Sequence, residues 1–240
     1  MILLPAIDLY EKKAVRLYKG NYDEMTVYSE DPVGLACEIE KKGATWLHVV
    51  DLEGAKEGTS PNLSLIQKIT AETGLNVETG GGIRSLETVE AFLNSGVKRV
   101  ILGTRAIEDP AFLRDMVSRF GDAIAVGVDA RHGKVAVRGW TSVTDTDAEE
   151  YIAGLADIGV KTVIATDISK DGAMMGTNRD FYRALARLEG LNIIASGGVS
   201  SLDDIAALRE IGVYGAILGK AMYTGAVNVS EAVAVAEGRE

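Results

Sequence analysis

The chain has 240 residues, 47% of them hydrophobic and 25% charged, with 4 prolines and a formal net charge of −10. That composition can bury a large core and excludes a disordered or fibrous chain, while the acidic balance argues against nucleic acid or membrane partners, which need a basic surface. One cysteine, Cys37, and two histidines exclude an internal disulfide and are too few for a common zinc or iron–sulfur centre, so no metal is expected.

The opening MILLPAIDLYEKK has no basic stretch before its apolar run and meets a charge at Asp8. Neither a signal peptide nor a membrane span is readable there, and a cytoplasmic setting is expected. The first strand is predicted over Ile2–Ile7, and Ala14–Tyr18 with Met25–Tyr28 reads as a β excursion inside a long loop. Helical and strand patterns then alternate: helix Asp31–Lys42, strand Trp46–Val50, helix Asn62–Thr73, strand Asn76–Thr79, helix Ser85–Ser95, strand Arg99–Leu102 and helix Asp109–Arg119. The alternation continues with strand Ala123–Val128, helix Asp147–Ile158, strand Thr162–Thr166, helix Arg179–Leu188, strand Asn192–Ala195, helix Ser201–Ile211 and strand Tyr214–Leu218. Several helices open on an N-cap residue or on proline after aspartate. Eight strands joined by seven helical segments in strict alternation imply a parallel sheet.

An internal repeat decides how those strands close. Gly81-Gly82-Ile83-Arg84-Ser85-Leu86 recurs as Gly197-Gly198-Val199-Ser200-Ser201-Leu202, and the match runs without a gap to Ile101-Leu102-Gly103 and Ile217-Leu218-Gly219, an offset of 116 residues. The same offset pairs Asp51 with Asp167 and Asn62 with Asn178; near it, Asp8 pairs with Asp129 and Ala14-Val15-Arg16 with Ala136-Val137-Arg138. Two tandem (βα)₄ halves, about 1–120 and 121–240, explain the repeat. They predict an α/β chain of one (β/α)₈ barrel domain over 1–240, since closure removes both sheet edges.

Four glycine loops follow the third, fourth, seventh and eighth strands: Gly80-Gly81-Gly82 with Arg84, Gly103-Thr104, Gly197-Gly198 and Gly219-Lys220. Glycine lets backbone N–H groups converge on a phosphate, and two symmetric pairs of such loops predict a bisphosphate ligand across the barrel mouth. Tight β-to-α turns alone would account for one or two of these glycines.

Asp8 and Asp129 end the first and fifth strands, where two aspartates of different environment can act as base and acid. Asp171, with Gly172 and Thr166 in the sixth-strand loop, is a third candidate. Arg16, Lys19 and Arg138 are loop cations suited to a phosphate or carboxamide, and Trp140 offers a flat face for a ring. Asp51 and Asp167 read as loop-fixing groups and His48 as a satisfied core residue. Cys37 lies on a helix away from the strand ends, so no covalent nucleophile is evident.

Together PAIDL (5–9), VRLYKG (15–20), LHVVDLEGA (47–55), GGGIRS (80–85), ATDISKDG (165–172) and SGGVSS (196–201) resemble the phosphoribosylformimino-aminoimidazole carboxamide ribotide isomerases of histidine biosynthesis, over nearly the whole chain. The resemblance implies an Amadori rearrangement of an aminoaldose to an aminoketose, without cofactor or metal; a monomer is expected because no long uncapped apolar patch stands out. It implies Asp8 as base, with Asp129 or Asp171 (beside Thr166) as donor. The related cyclase begins Cys-Leu-Asp where this chain has Ala6-Ile7-Asp8. Val77-Glu78 and Arg138-Gly139-Trp140 also resemble the dual-substrate isomerase that accepts phosphoribosylanthranilate, and a phosphosugar-binding barrel without catalysis is the reading of another class.

Overall fold

A computed structural model describes residues 1–18 and 20–239; Lys19 lies outside the described residues. Twelve strands are seen among them: β1 (Ile2–Tyr10), β2 (Lys13–Tyr18), β3 (Asn21–Ser29), β4 (Trp46–Asp51), β5 (Asn76–Gly80), β6 (Arg99–Leu102), β7 (Ile124–Arg131), β8 (Lys134–Val137), β9 (Ser142–Asp147), β10 (Thr162–Asp167), β11 (Asn192–Ser196) and β12 (Gly215–Leu218). Eight of them form a closed parallel ring in the order β1, β4, β5, β6, β7, β10, β11, β12, with β12 pairing back to β1 through Ile2 opposite Gly215 and Pro5 opposite Leu218. The chain therefore folds as a (β/α)₈ barrel. Strands related by the repeat stand directly opposite one another in this ring.

Side-chain alternation along each strand separates two apolar layers. Leu4, Ala6, Ile101, Ala125, Ile164, Ile194 and Ile217 fill the lumen, whereas a larger cluster including Leu3, Ile7, Leu47, Val126 and Val163 packs beneath the helices. Burial on both faces is why these strands read as continuous apolar runs. Asp8 shares the parity of Leu4 and Ala6, and Asp129 that of Ala125, so both carboxylates fall on the lumen side at the C-terminal mouth.

The helices start where their caps predict. Asp31, Asp109, Asp147, Asn178, Ser85 and Ser201 each accept a backbone N–H of the first turn. The helix predicted to Leu188 stops at Leu185. Asp51 caps Leu52–Glu57 through Gly54 N (2.9 Å) and also holds Asn62 Nδ2 (2.9 Å), while Asp167 holds Asn178 Nδ2 (2.7 Å). The repeat thus preserves one loop-fixing bond in both halves, and neither aspartate lines the cavity described below.

The excursion after β1 is an antiparallel hairpin, β2–β3, and β7 is followed by its counterpart β8–β9. The two hairpins meet over the mouth: a Cβ at Gly20 would stand 2.5 Å from the Trp140 ring, so glycine is required for the contact. Among the described residues no helix is long and apolar enough to cross a membrane.

Candidate active site

The C-terminal ends of the eight strands enclose a cavity of about 850 Å³. Every described residue predicted for the site lines it: Asp8, Asp129, Asp171 and Thr166; the glycines 81, 82, 103, 172, 197, 198 and 219; and Arg16, Arg84, Thr104, Arg138, Trp140 and Lys220.

The glycine loops have two jobs in both halves. Gly81, Gly82, Gly197 and Gly198 all have φ between +73° and +109°. A Cβ at Gly81 would lie 2.1 Å from Asp51 O and one at Gly198 2.3 Å from Gly176 O, so backbone packing alone demands glycine there. The second loop of each pair differs. Gly103 opens helix Thr104–Glu108 and Gly219 opens Lys220–Tyr223, and neither offers a side-chain cap, which leaves N–H groups at both helix starts without that partner. Those starts border the cavity from opposite sides, because β6 and β12 are opposite in the ring.

Between them lie the carboxylates. Asp8 Oδ2 receives Arg16 Nη1 at 3.0 Å, with both side chains about a tenth exposed. Burial pushes the Asp8 carboxyl above the usual range, against the Arg16 charge that holds it down; the charge of Asp171 adds to the rise. Asp129 is also raised, chiefly by burial, and is opposed by neutral donors: Trp140 Nε1 at 2.8 Å and the Thr166 hydroxyl. Asp171 influences both carboxyls and so stands close to the pair. Arg138, the repeat partner of Arg16, is 71% exposed and bonds Glu108 at 3.0 Å instead of Asp129.

The sequence model for "Histidine biosynthesis protein" matches residues 2–228. The chain belongs to that family. Full-length relatives agree: a Clostridium acetobutylicum protein is 46% identical over 239 residues, covering 100% of both chains. Proteins of Dehalococcoides mccartyi (48% over 232 residues, 97% of this chain and 98% of the relative) and Dinoroseobacter shibae (48% over 237 residues, 98% and 99%) are similar to it at the same level. All three carry the name 1-(5-phosphoribosyl)-5-((5-phosphoribosylamino)methylideneamino)imidazole-4-carboxamide isomerase.

In this family member the structure corrects one reading of the sequence. His48 is satisfied, as expected of a core residue, but it also lines the cavity. Its Nδ1 lies 2.7 Å from Glu78 Oε1, and Glu78 Oε2 receives Arg99 Nε at 2.9 Å and Nη2 at 2.6 Å. Arg99 stacks 4.4 Å from the Trp46 ring and donates from Nη1 to Thr162 Oγ1 at 3.3 Å. Sequence reasoning missed this chain of groups because its members come from four different strands, β4, β5, β6 and β10, and meet only in the closed barrel. The signal available was the parity that His48 shares with Trp46 and Val50. Tyr22 and Lys56 were also missed; they join the cavity wall from β3 and helix Leu52–Glu57.

Proposed function

We propose that the chain is an aldose–ketose isomerase that converts the bisphosphate aminoaldose named in its relatives to the aminoketose, within histidine biosynthesis, acting as one barrel domain over 1–240. The single observation that carries this reading is the placement of Asp8 and Asp129 on opposite strands, midway between two glycine-lined phosphate sites. An elongated ligand with a phosphoribosyl group at each end would put a sugar at the carboxylates.

Asp129, with an indole N–H and a hydroxyl beside it where Asp8 has an arginine, is the better proton holder; it protonates the ribose ring oxygen as the C1′–O bond breaks and the amine nitrogen lone pair forms the Schiff base. Asp8, whose carboxylate form is favoured by Arg16, then takes the C2′ proton, and the electron pair closes an enolamine that tautomerises to the ketose. Asp171 is the competing donor, since its loop borders the same pair. Phosphate oxygens are assigned to N–H groups of Gly82, Gly103 and Thr104 on one side and of Gly198, Gly219 and Lys220 on the other. The Arg84 side chain and the Trp140 ring are assigned to the first flank. A monomer in the cytoplasm, using no cofactor, completes the reading.

The test is turnover by the purified protein of the aminoaldose and, separately, of phosphoribosylanthranilate. Conversion of the first alone supports the assignment, conversion of both makes the enzyme dual-substrate, and conversion of neither refutes it in favour of a binding barrel.

A further inference from the structure

The proposed bisphosphate carries a phosphoribosyl group at each end, and the two halves of the barrel offer matching phosphate loops. Something must therefore select which end enters which half. We propose that His48, held by Glu78 and Arg99, selects the orientation by giving the ligand a polar contact at a depth where the facing wall carries Ile164; this rests on the isomerase reading above.

The repeat locates the asymmetry. Its 116-residue offset pairs His48 with Ile164, Glu78 with Ile194 and Arg99 with Gly215. β4 and β10 are opposite in the ring, so an imidazole on one wall faces an isoleucine on the other, and both residues line the cavity. Ile101 faces Ile217 across the same cavity, and nearer the mouth the repeat sets Val50 on the His48 wall against Thr166 on the facing one.

The imidazole is held in one orientation. Glu78 is fully buried and its carboxylate can only accept, so Nδ1 of His48 carries the hydrogen and the ring's other edge is left to the cavity. Arg99 fixes the carboxylate from behind, itself clamped between Trp46 and Thr162. Burial alone would raise Glu78, but the bonds from His48 and Arg99 outweigh it and leave the carboxyl below its usual range. In the β1–β4 register His48 stands opposite Ala6 and Val50 opposite Asp8, so the imidazole lies two residues deeper in the barrel than the Asp8 carboxylate. The wall it marks is thus beneath the carboxylate pair, where the opening ribose must lie. A ligand turned end for end would present its polar groups to Ile164 and leave the imidazole edge without a partner, the arrangement that a polar site rejects.

The experiment compares the intact protein with His48→Ile, which matches the two walls at the depth of Ile164. Each is saturated with the aminoketose product and read by ³¹P NMR, alongside steady-state kinetics. The intact protein is expected to show two bound phosphate resonances. The variant is expected to show four, with kcat and KM falling together by about twofold because roughly half of the complexes are then reversed and unproductive. His48→Gln, which keeps a polar group on that wall, is expected to retain two resonances. Two resonances in His48→Ile overturn the inference whatever its kcat. Should that variant not fold, Ile164→His, which adds an imidazole to the opposite wall, carries the same demand for four resonances and is overturned by two. Turnover by the intact protein tests the isomerase reading separately.

Discussion

Arg16 Nη1 lies 3.0 Å from Asp8 Oδ2, whereas Arg138, its repeat partner, leaves Asp129 and bonds Glu108. Two carboxyls at equivalent strand ends therefore differ in one respect: a buried cation stands beside one of them, and an indole N–H beside the other. Gly219 belongs to the same arrangement, since a Cβ there would lie 2.5 Å from Arg16 Nη2. The guanidinium joins the proposed base to the Gly219 loop.

Because burial raises the Asp8 carboxyl, the acidic limb of kcat/KM is expected above the ordinary aspartate range. Arg16 opposes that rise. Arg16→Gln should therefore move the limb to still higher pH, by about 1–3 pH units, the usual effect of an adjacent arginine on a carboxyl. A limb that stays in place, or moves to lower pH, in a pH–rate profile of the variant contradicts the role given to Arg16.

Asp129→Asn should abolish turnover and stabilise the protein. A carboxyl whose folded pKa is raised makes stability fall as pH rises through the window between its unfolded and folded pKa values. The cost is fully present above the folded value. The amide removes it while its oxygen still accepts from Trp140, so a gain of ~1 kcal/mol is expected, about 2–4 °C in Tm. Scanning calorimetry at pH 7 checks this, and a lower Tm would count against a strained, buried carboxylate.

Glu78 carries the opposite sign. Its lowered pKa contributes stability present above the unfolded pKa and lost as pH falls through the folded value. Glu78→Ala leaves the Arg99 guanidinium buried and unpaired, which should cost about 3–5 kcal/mol in urea unfolding. Glu78→Gln, which keeps an acceptor for His48, should cost clearly less; equal losses would mean that packing, not the ion pair, sets the effect.

Gly82→Ala should damage the fold and not only the ligand site. Its Cβ would fall 2.1 Å from Gly54 O at φ +73°, with backbone as the obstacle. A loss of at least 1–3 kcal/mol, roughly the cost of a strained backbone position, is expected. A variant of unchanged Tm that merely binds phosphate less well would show that the loop yields.

Most of the eight barrel strands were legible because burial on both faces writes them as short apolar runs, β5 with its Glu78 and Thr79 being the exception, and the repeat supplied their closure. The helix starts were legible through Asp31, Asp109 and Ser201, whose side chains do what their types suggest. The short helices Thr104–Glu108 and Lys220–Tyr223 were not, since five and four residues carry no helical period. The β8–β9 hairpin showed only as the echo of Arg16 in Arg138. The carboxylates were placed by strand position, but the pairing of Arg16 with Asp8 and of Trp140 with Asp129 depends on loop paths that local sequence does not encode. His48 was hidden for the opposite reason: a polar residue among apolar neighbours reads as core until the lumen is known to be wide enough to admit a ligand.

The central claim is that Asp8 moves a proton between two phosphate sites that bind without it. Side-by-side turnover and calorimetric affinity for the aminoketose bisphosphate in Asp8→Asn test it most directly. Turnover is expected to fall by about 10²–10⁴, the usual worth of a positioned base, with affinity within a few-fold of the intact protein. Turnover at the intact rate, or affinity lost in step with turnover, would contradict it.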